Sequence, residues 1–450
     1  MSPSGSQLET EIWSAERIYE ADRKYVIHSW SVQGALDPMV IGGGSGSWFW
    51  DRDGNRYLDF QSQLANLGLG YQHPRMIEAI KRQADRLCYI GPGVAEQSRS
   101  ELAEALARLT PGDLTMSFFT TGGAAANENA VRLARHATGR PKVISRYRSY
   151  HGATASAISM SGDPRRWASE PGVPGVVRML DPYPYRRPAD DPANDMRHLE
   201  ELLQHENPAT IAAVIVEPIS GANGIIYPPD DYLPALRRLC DEHGILLIFD
   251  EVVTAFGRTG AWFAADHWNV VPDILVTAKG LNSGYVPLGA ITVSQALGEW
   301  LQTNMFWGGL TYSGHPIACA SGVASLRIIE EEGLVEQSRL RGEQLGAGLL
   351  AMAERHPSIG EVRGRGLFYG VELVRSRETR EPLVPYAASG AAAAPARELV
   401  DAAAARQLHI GLAHNVLRLI PPLIVTEDEV ELALAVLDEV LDVADRHSID

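Results

Sequence analysis

Cysteine is scarce in this chain. Its 450 residues contain three cysteines, Cys88, Cys240 and Cys319, which are widely spaced and form no CxxC pair. An odd and scattered set of cysteines does not build a disulfide framework, and this set lacks the spacing of a zinc site. The scarcity therefore predicts a cytoplasmic protein with no bound metal.

Long apolar runs and an excess of positive charge are also missing. No stretch of about 18 apolar residues is present, so no membrane span is predicted, and residues 1–25 lack the apolar core of a secretory signal. The net charge of −16 argues against partners that are nucleic acids or anionic membranes. With 45% hydrophobic residues, the chain has an ordinary globular composition, and its length is sufficient for two or three domains.

Two apolar segments end in reactive side chains. ILLIFDEV starts at Ile245 and ends with Asp250 and Glu251, and DILVTAK ends at Lys279. Such short runs predict buried parallel strands, whose carboxyl ends border the ligand crevice of an open α/β sheet. A lysine can form a Schiff base with a pyridine aldehyde, while an aspartate keeps the ring nitrogen protonated. For either strand alone, a loop-capping Asp and an unreactive Lys remain the alternative.

The chain alternates strands and helices over much of its length. From about Met116, the predicted strands MSFFT, PKVISRY and IAAVIVEPI alternate with the predicted helices ANENAVRLARHATG and DDYLPALRRLCDEHG, which predicts a mostly parallel sheet covered by helices. WFWDRDGNRYLDF predicts a hairpin, and VLRLIPPL predicts a short strand. The Ala-rich AASGAAAAPA predicts a linker and a helix start. We expect an N-terminal segment of residues 1–70 that joins a small domain of 326–450, with a large domain of 71–325 between them.

Three loops offer groups for a flat, phosphorylated ligand. TTGGAAANENAVRLAR places glycines between a strand and a helix, where backbone N–H groups attract phosphate, although a tight turn is the alternative. In SYHGAT, Tyr150 can lay its ring on a cofactor. His151 is expected to be a hydrogen-bonded structural residue rather than a ligand or base. GGLTYSGHP offers the hydroxyls of Thr311 and Ser313, or is simply a turn.

Taken in order, these motifs resemble the class III aminotransferases, pyridoxal-phosphate enzymes of fold type I that include ω-amino acid and amine transaminases. The resemblance runs from about Trp48 to Thr426. It implies an α/β fold in which the large domain carries a mostly parallel, seven-stranded type of sheet. A smaller α+β domain is built from both termini, and the enzyme is a homodimer. It also implies pyridoxal 5′-phosphate as cofactor, with contacts from Gly123, Ala124, Tyr150, Glu217, Asp250, Val252, Lys279 and Thr311.

The resemblance assigns roles to some of these positions. Lys279 and Asp250 are the catalytic residues: Lys279 binds the cofactor and moves the substrate proton, and Asp250 pairs with the ring nitrogen. Tyr150 and Val252 enclose the ring. Thr311 is expected to reach the active site of the other subunit, and the reaction is expected to be ping-pong.

Several positions depart from the relatives. Gly122 and Ala124 replace two serines of the phosphate loop, and a lost hydroxyl bond costs about 1 kcal/mol. Ala153 stands where glutamate-using relatives carry an Arg, and Ala222 where ornithine-type relatives carry a gating Glu. The resemblance gives Arg418 the substrate α-carboxylate, although a structural role is the alternative. Ala65 stands where amine transaminases often have Trp, which suggests a roomier substrate pocket. Tyr89 and Trp307 are expected as aromatic walls of that pocket.

These departures predict an aminotransferase that uses an ω-amino acid, an amine or a taurine-like donor with pyruvate or another small 2-oxo acid. One fixed cation, Arg418, suits a mono-acid unless another Arg, such as Arg165 or Arg166, serves. The alternatives are a glutamate-linked transaminase of 4-aminobutyrate or taurine, a pyridoxal-phosphate mutase, racemase or decarboxylase, and a non-catalytic relative. Intact Asp250 and Lys279 disfavour the last of these.

Overall fold

The computed structural model describes residues 12–449, so residues 1–11 of the predicted N-terminal segment and Asp450 lie outside it. The strands are β1 Ile41–Ser45, β2 Trp48–Asp51, β3 Arg56–Asp59, β4 Leu114–Thr120, β5 Lys142–Arg146, β6 Val176–Met179, β7 Ile211–Val216, β8 Leu246–Asp250, β9 Ile274–Thr277, β10 Gly289–Ser294, β11 Ile359–Arg365, β12 Phe368–Leu373, β13 Leu408–His409, β14 Gly411–Ala413 and β15 Val416–Leu419. The helices are α1 Ala15–Tyr25, α2 Ser62–Ala65, α3 Pro74–Arg86, α4 Gln97–Leu109, α5 Gly123–Thr138, α6 Ala155–Met160, α7 Arg197–Glu206, α8 Tyr232–His243, α9 Gln295–Leu301, α10 Pro316–Glu331, α11 Leu334–Arg355, α12 Ala394–Ala405 and α13 Glu427–Asp445. Within the described range, no helix combines the length and the apolar character needed to cross a membrane.

A seven-stranded sheet forms the centre of the molecule. Its strand order is β4-β10-β9-β8-β7-β5-β6, and only β10 runs antiparallel to its neighbours. All six residues of β7 are buried, as expected for a strand covered on both faces. The predicted mostly parallel sheet is therefore confirmed. Because β4, β5, β7, β8 and β9 share one direction, their carboxyl ends meet along one edge.

Helices cover this sheet, and their ends follow the sequence signals. α5 packs across β4, β7, β8, β9 and β10 with an Ala-rich face that includes Ala126, Ala130 and Ala134. The small side chains let the helix approach the strands closely. α8 ends at Gly244, which adopts φ 58° and accommodates the left-handed turn that leads into β8. Because strands and helices alternate, each loop that follows a parallel strand lies at the same edge of the sheet.

The chain forms two smaller sheets, and the first of them joins its two ends. β2 and β3 form the predicted antiparallel hairpin, in which Trp48 faces Leu58, and β13 adds to β3 in parallel. The second sheet has the order β11-β12-β15-β14 and contains the predicted strand VLRL. The N-terminal strands thus pair with a C-terminal strand. The division expected after residue 325 falls inside α10, and the next break in the chain is the turn at Glu332 and Gly333.

Candidate active site

A cavity of about 460 Å³ lies at the carboxyl edge of the seven-stranded sheet. A larger cavity of about 730 Å³, between α3, α4 and α10, contains none of the predicted site residues. The smaller cavity is the candidate site because the loops after β4, β5, β7, β8 and β9 all reach it. Nine of the predicted positions line it: Gly123, Ala124, Tyr150, Ala153, Glu217, Ala222, Asp250, Val252 and Lys279.

The carboxylate of Asp250, the last residue of β8, is held by three donors. Oδ2 accepts hydrogen bonds from His151 Nδ1 at 2.7 Å and from Asn127 Nδ2 at 2.8 Å. Oδ1 accepts from the backbone N–H of Val252 at 3.0 Å. His151 and Asn127 are themselves buried. The orientation of Asp250 is therefore fixed by the protein before a ligand arrives, as preorganised sites require.

Lys279 follows β9 and faces the cavity with an unusual backbone. Its φ of 42° lies in the left-handed region, which is uncommon for a non-glycine residue and costs free energy that the surrounding fold must supply. Burial and the positive charge of Arg418 lower the pKa of Lys279 to about 8, against the opposing effect of Asp250 and Glu217. A substantial fraction of this amine is therefore neutral near physiological pH, and only the neutral amine is a nucleophile or base.

Glu217 follows β7 and connects two loops. Its Oε1 accepts from the N–H of Tyr150 at 3.0 Å, and its Oε2 accepts from the N–H of Gly221 at 2.8 Å. Burial first, and the negative charge of Asp250 second, raise the pKa of Glu217 to about 7, although His151 lowers it. This carboxyl group is therefore a second titratable acid in the cavity.

The loop between β4 and α5 places backbone donors against the cavity. Thr121, Gly122, Gly123 and Ala124 line it, at the N-terminus of a 16-residue helix. The loop also packs tightly on the β8 loop, because a Cβ at Gly123 would lie 2.9 Å from Val252 Cγ2. A helix N-terminus with free N–H groups is a favourable place for a phosphate.

Tyr150 is part of an aromatic and cationic stack at the rim of the cavity. The Arg165 guanidinium lies 3.6 Å from the centre of the Tyr150 ring and 5.5 Å from that of Trp30. Asp163 accepts from Nε of Arg165 at 2.9 Å and also from Nη2. Stacking and ion pairing together orient the guanidinium and leave its Nη1 outside the ion pair.

Arg418 lies on β15, half-buried, opposite Gly370 and Gly411 in the sheet. Its Nε has no hydrogen-bond partner in the described part of the chain. Burial, followed by the positive charge of Arg165, lowers the pKa of Arg418 to about 10. A half-buried cation whose donor is left unpaired is a candidate site for an anionic ligand group.

Five predicted positions do not line this cavity within one chain, and one of them is Arg418 on β15. Ala65 is buried beside Arg258 and Leu423 instead, and its neighbour Asn66 is the residue that lines the cavity. Tyr89 and Trp307 are 41% and 65% exposed in one chain, and their place as aromatic walls of the pocket stays a prediction. Thr311 is exposed, and its carbonyl oxygen accepts from Tyr89 Oη at 2.8 Å.

Sequence reasoning assigned no role to Asn127 and did not foresee the stack around Arg165. Asn127 lies one turn into α5, four residues after Gly123, and this spacing places it on the same face of the helix. That periodicity was available in the sequence. Trp30 and Arg165 are 135 positions apart. Trp30 lies outside the strands and helices, and Arg165 lies in a short 3-10 helix, Pro164–Ser169, so no periodic pattern predicts that the two residues meet.

Comparison with known proteins identifies the family. The family described as aminotransferase class-III matches residues 31–441. The chain belongs to the class III aminotransferase family. It is 36% identical to the uncharacterized aminotransferase YhxA of Bacillus subtilis, with 93% of this chain and 95% of that protein covered. It is 33% identical to the taurine–pyruvate aminotransferase of Bilophila wadsworthia, with 93% and 95% covered.

A solved structure extends this likeness to the fold. The taurine:2-oxoglutarate aminotransferase of Bifidobacterium kashiwanohense, solved in complex with pyridoxal phosphate and glutamate, superposes with a TM-score of 0.94. It is 39% identical, and 97% of this chain and 99% of that chain are covered. The class III aminotransferase therefore has the fold of type I pyridoxal-phosphate enzymes and is a pyridoxal-phosphate-dependent transaminase.

The residues at the cavity fit this cofactor. The helix N-terminus with its glycine loop suits the phosphate, the fixed carboxylate of Asp250 suits a protonated ring nitrogen, and Lys279 supplies an amine whose pKa is lowered. The cavity volume is also in the range of small-molecule and cofactor sites. The serines that are replaced by Gly122 and Ala124 leave the backbone donors of this loop in place.

Proposed function

We propose that the cofactor is held by Gly123, Ala124, Tyr150, Glu217, Asp250, Val252 and Lys279, as the sequence motifs suggest. When bound, pyridoxal phosphate supplies an electron sink that acidifies the proton on the substrate carbon bearing the amino group. Asp250 keeps a negative charge at the ring nitrogen, and the donors on its oxygens fix that charge in place. Tyr150 and Val252 flank the ring.

Lys279 is the proton carrier of this proposal. Its neutral amine accepts the proton from the substrate Cα. The ammonium that forms would then return a proton to C4′ of the bound cofactor. A pKa of about 8 suits both halves of this transfer, because both protonation states are populated near neutral pH. The nearby carboxyl groups of Asp250 and Glu217 stabilise the ammonium form, while Arg418 favours the neutral one.

We propose that the substrate pocket contains two cations. Arg418 takes the α-carboxylate of the 2-oxo acid, in keeping with its unpaired Nε. Arg165 carries the choice of substrate, because its guanidinium lies 3.6 Å from the centre of the Tyr150 ring, and Tyr150 lines the cavity. Its positive charge also lowers the pKa of Arg418, after the larger effect of burial. Ala153 and Ala222 then border the pocket with small side chains.

A two-cation pocket suits substrates with a distal acid group. We propose that the donor is an ω-amino acid or a taurine-like amine, whose carboxylate or sulfonate binds Arg165. The matching acceptor is a dicarboxylate such as 2-oxoglutarate, with Arg418 and Arg165 each binding one carboxylate. The preference for pyruvate predicted from the sequence assumed one fixed cation, and this proposal adds Arg165 as a second one.

A mono-acid acceptor such as pyruvate is the second candidate. The ion pair with Asp163 supports it, because that carboxylate already neutralises part of the Arg165 charge. Steady-state kinetics with one common donor and either acceptor decide between the two, while taurine, 4-aminobutyrate and simple amines compared against one acceptor identify the donor. A mutase or racemase would turn over with the acceptor omitted, and this control separates those reactions from transamination.

We also propose that the enzyme is a homodimer in which Thr311 reaches the active site of the other subunit. Thr311 lies among apolar side chains that are exposed in one chain, and large patches of this kind mark interaction surfaces. These side chains belong to two neighbouring segments, 87–94 and 305–312: Leu87, Tyr89, Val94, Met305, Trp307 and Tyr312. Under this proposal, Tyr89 and Trp307 belong to the subunit interface.

The domain limits and the location of the enzyme remain proposals. We divide the chain into an N-terminal segment of 1–70, a large domain of 71–325 and a C-terminal domain of 326–450, with the turn at Gly333 as the physical boundary nearest the last division. Cys240 and Cys319 are buried thiols, and Cys88 is an exposed thiol, a pattern typical of a reducing compartment. A cytoplasmic location is therefore proposed.

A further inference from the structure

Glu217 joins opposite walls of the active-site cavity. Tyr150, on the loop after β5, donates its backbone N–H to Oε1, and Gly221, on the loop after β7, donates to Oε2. Gly221 directly precedes Ala222, which lines the cavity beside Tyr150. One side chain therefore ties the loop that carries the aromatic ring to the loop that borders the substrate.

The position of Glu217 is itself rigid. Val216, the residue before it, is paired with Phe249 in the parallel ladder between β7 and β8. The Nη1 group of buried Arg146 donates to the Glu217 carbonyl oxygen at 3.2 Å. The side chain is 4% exposed and has no freedom to adjust without breaking one of its two bonds. A rigid anchor of this kind transmits its geometry to both loops.

We propose that Glu217 is a positioning residue that holds the Tyr150 loop and the Gly221–Ala222 loop at a fixed separation, and that substrate affinity depends on this bridge. The inference rests on the proposed function for the identity of the substrate pocket. It does not require a particular donor or acceptor. Glu217 is not a proton carrier in this account, because both of its oxygens face backbone N–H groups.

The bridge depends on the ionisation of the carboxyl group. A carboxylate accepts both hydrogen bonds, whereas a protonated carboxyl turns one oxygen into a donor that faces another donor. The titratable and charged groups around Glu217 are Arg146 at the end of β5, His151 after β5, Asp250 at the end of β8 and Lys279 after β9. Burial and Asp250 raise the pKa of Glu217 to about 7, so protonation weakens the bridge on the acid side of neutrality.

Glu217→Gln is the direct test because glutamine reproduces the protonated state at every pH. Its oxygen accepts one N–H, and its amide nitrogen faces the other. In the holoenzyme, we expect KM for the acceptor to rise about tenfold at pH 8, as for loss of a hydrogen bond to a charged group, with a smaller change in kcat. The wild-type KM should rise as the pH falls below about 7, and the variant should lack this rise.

Hydrogen exchange of the cofactor-free protein supplies a readout that does not depend on activity. The amides of Tyr150 and Gly221 donate directly to Glu217, so peptides that contain them should exchange faster in Glu217→Gln. Glu217→Asp, whose shorter side chain cannot span both loops, should do the same. Either variant keeps the test valid if the other fails to fold.

Glu251→Gln is the matched control. Glu251 is a buried carboxyl at the end of the neighbouring strand, and burial also raises its pKa to about 7. It accepts from the N–H groups of Ala264 and Ala265, away from the cavity lining. This change should leave exchange at Tyr150 and Gly221 unaltered. Unchanged exchange in folded Glu217 variants, or a KM that keeps its acid rise in Glu217→Gln, would overturn the bridge. If the wild-type protein showed no transaminase activity while the Glu217 variants still exchanged faster at Tyr150 and Gly221, the proposed function alone would be refuted.

Discussion

His151 Nδ1 lies 2.7 Å from Oδ2 of Asp250, and both side chains are shielded from solvent. The same oxygen accepts from Asn127, so one carboxylate oxygen receives two donors, one from helix α5 and one from the loop after β5. Asp250 would therefore not need to reorganise to hold the positive charge of a protonated ring nitrogen. Preorganised charge of this kind contributes more in a buried site than the same charge would in water.

Asp250→Asn should leave the protein folded and reduce the rate by orders of magnitude. A neutral amide cannot hold the ring nitrogen protonated, so the electron sink is weakened. The loss should fall on the proton-transfer step, which single-turnover kinetics isolate from substrate release. A single-turnover rate close to that of the wild type would show that Asp250 does not pair with the ring.

His151→Gln should have a smaller effect than Asp250→Asn because glutamine can still donate to the carboxylate. We expect a moderate loss of rate, about tenfold, with cofactor affinity little changed. Comparing these variants in the same single-turnover assay separates the charge of Asp250 from its orientation. Equal losses in both would mean that the imidazole itself has a role beyond holding the carboxylate.

Lys279→Ala should abolish transamination while the protein remains folded. The yellow colour of the cofactor bound to the wild-type protein should be lost or shifted in its absorbance spectrum. Lys279→Arg keeps a positive charge at this position, yet it should be equally inactive because guanidinium does not release its proton near neutral pH. Substantial turnover by either variant, without an added amine, contradicts the assignment of the proton carrier.

Thr311→Ala should weaken cofactor binding by about 1–2 kcal/mol, the value of a hydrogen bond to a charged phosphate. It should also lower the melting temperature without excess cofactor, since ligand binding stabilises the folded state by mass action. Thr311→Ser retains the hydroxyl and serves as the control. Analytical ultracentrifugation tests the proposed dimer separately, and an unchanged dissociation constant in Thr311→Ala removes this contact from the site.

His356 should make stability depend on pH. Partial burial alone would lower its pKa, but hydrogen bonds from its ring to Asp445 and Asp438 raise the pKa of His356 above its usual value. The contribution is therefore fully present below the unfolded pKa of about 6.5 and is lost as pH rises through the raised folded pKa. His356→Gln should lose about 1–2 kcal/mol of unfolding free energy at pH 6 and much less at pH 9.

Thermal unfolding of the cofactor-saturated enzyme at these two pH values measures this difference. The saturation is needed because a change in cofactor occupancy would shift the melting temperature by itself. Equal destabilisation of His356→Gln at both pH values would show that the imidazole contributes by packing between α11 and α13 and not through its charge.

The sequence predicted the sheet and the position of the two candidate catalytic residues because both depend on local patterns. Uninterrupted apolar runs such as β8 and β9 reveal buried strands, and Asp250 is the last residue of β8 while Lys279 lies two residues after β9. The supporting contacts were harder to foresee. Asn127 lies on helix α5, His151 on the loop after β5 and Asp250 at the end of β8, and only the folded sheet sets the distances between them.

The substrate side was least predictable because it depends on long-range contacts. Arg165 stacks on Trp30 and Tyr150, and its charge reaches Arg418 on a separate sheet. No spacing of residues in the sequence predicts these contacts. Ala65 was likewise expected to border the substrate, yet its φ of 59° belongs to an irregular turn that directs Asn66 to the cavity instead.

Arg165→Gln tests the proposed two-cation pocket through the choice of acceptor. If Arg165 binds the distal carboxylate, kcat/KM for 2-oxoglutarate should fall about 10- to 100-fold, and that for pyruvate by about threefold or less. The ratio of the two values is the relevant measure. Loss of the stacking contacts with Tyr150 and Trp30 affects both acceptors and cancels in the ratio. Arg165→Lys keeps the positive charge but not the planar guanidinium, so its ratio of kcat/KM values should lie between those of the wild type and Arg165→Gln.

Arg418→Ala completes the test because Arg418 is proposed to bind the α-carboxylate that both acceptors share. Its removal should weaken both acceptors by a similar factor and leave their ratio unchanged, in contrast to Arg165→Gln. The wild-type enzyme should use 2-oxoglutarate at least as well as pyruvate with the same donor. If kcat/KM is higher for pyruvate by tenfold or more and Arg165→Gln does not change the ratio, then Asp163 neutralises the charge of Arg165 through their ion pair. The pocket then has a single effective cation, as the substitutions at Ala153 and Ala222 first suggested.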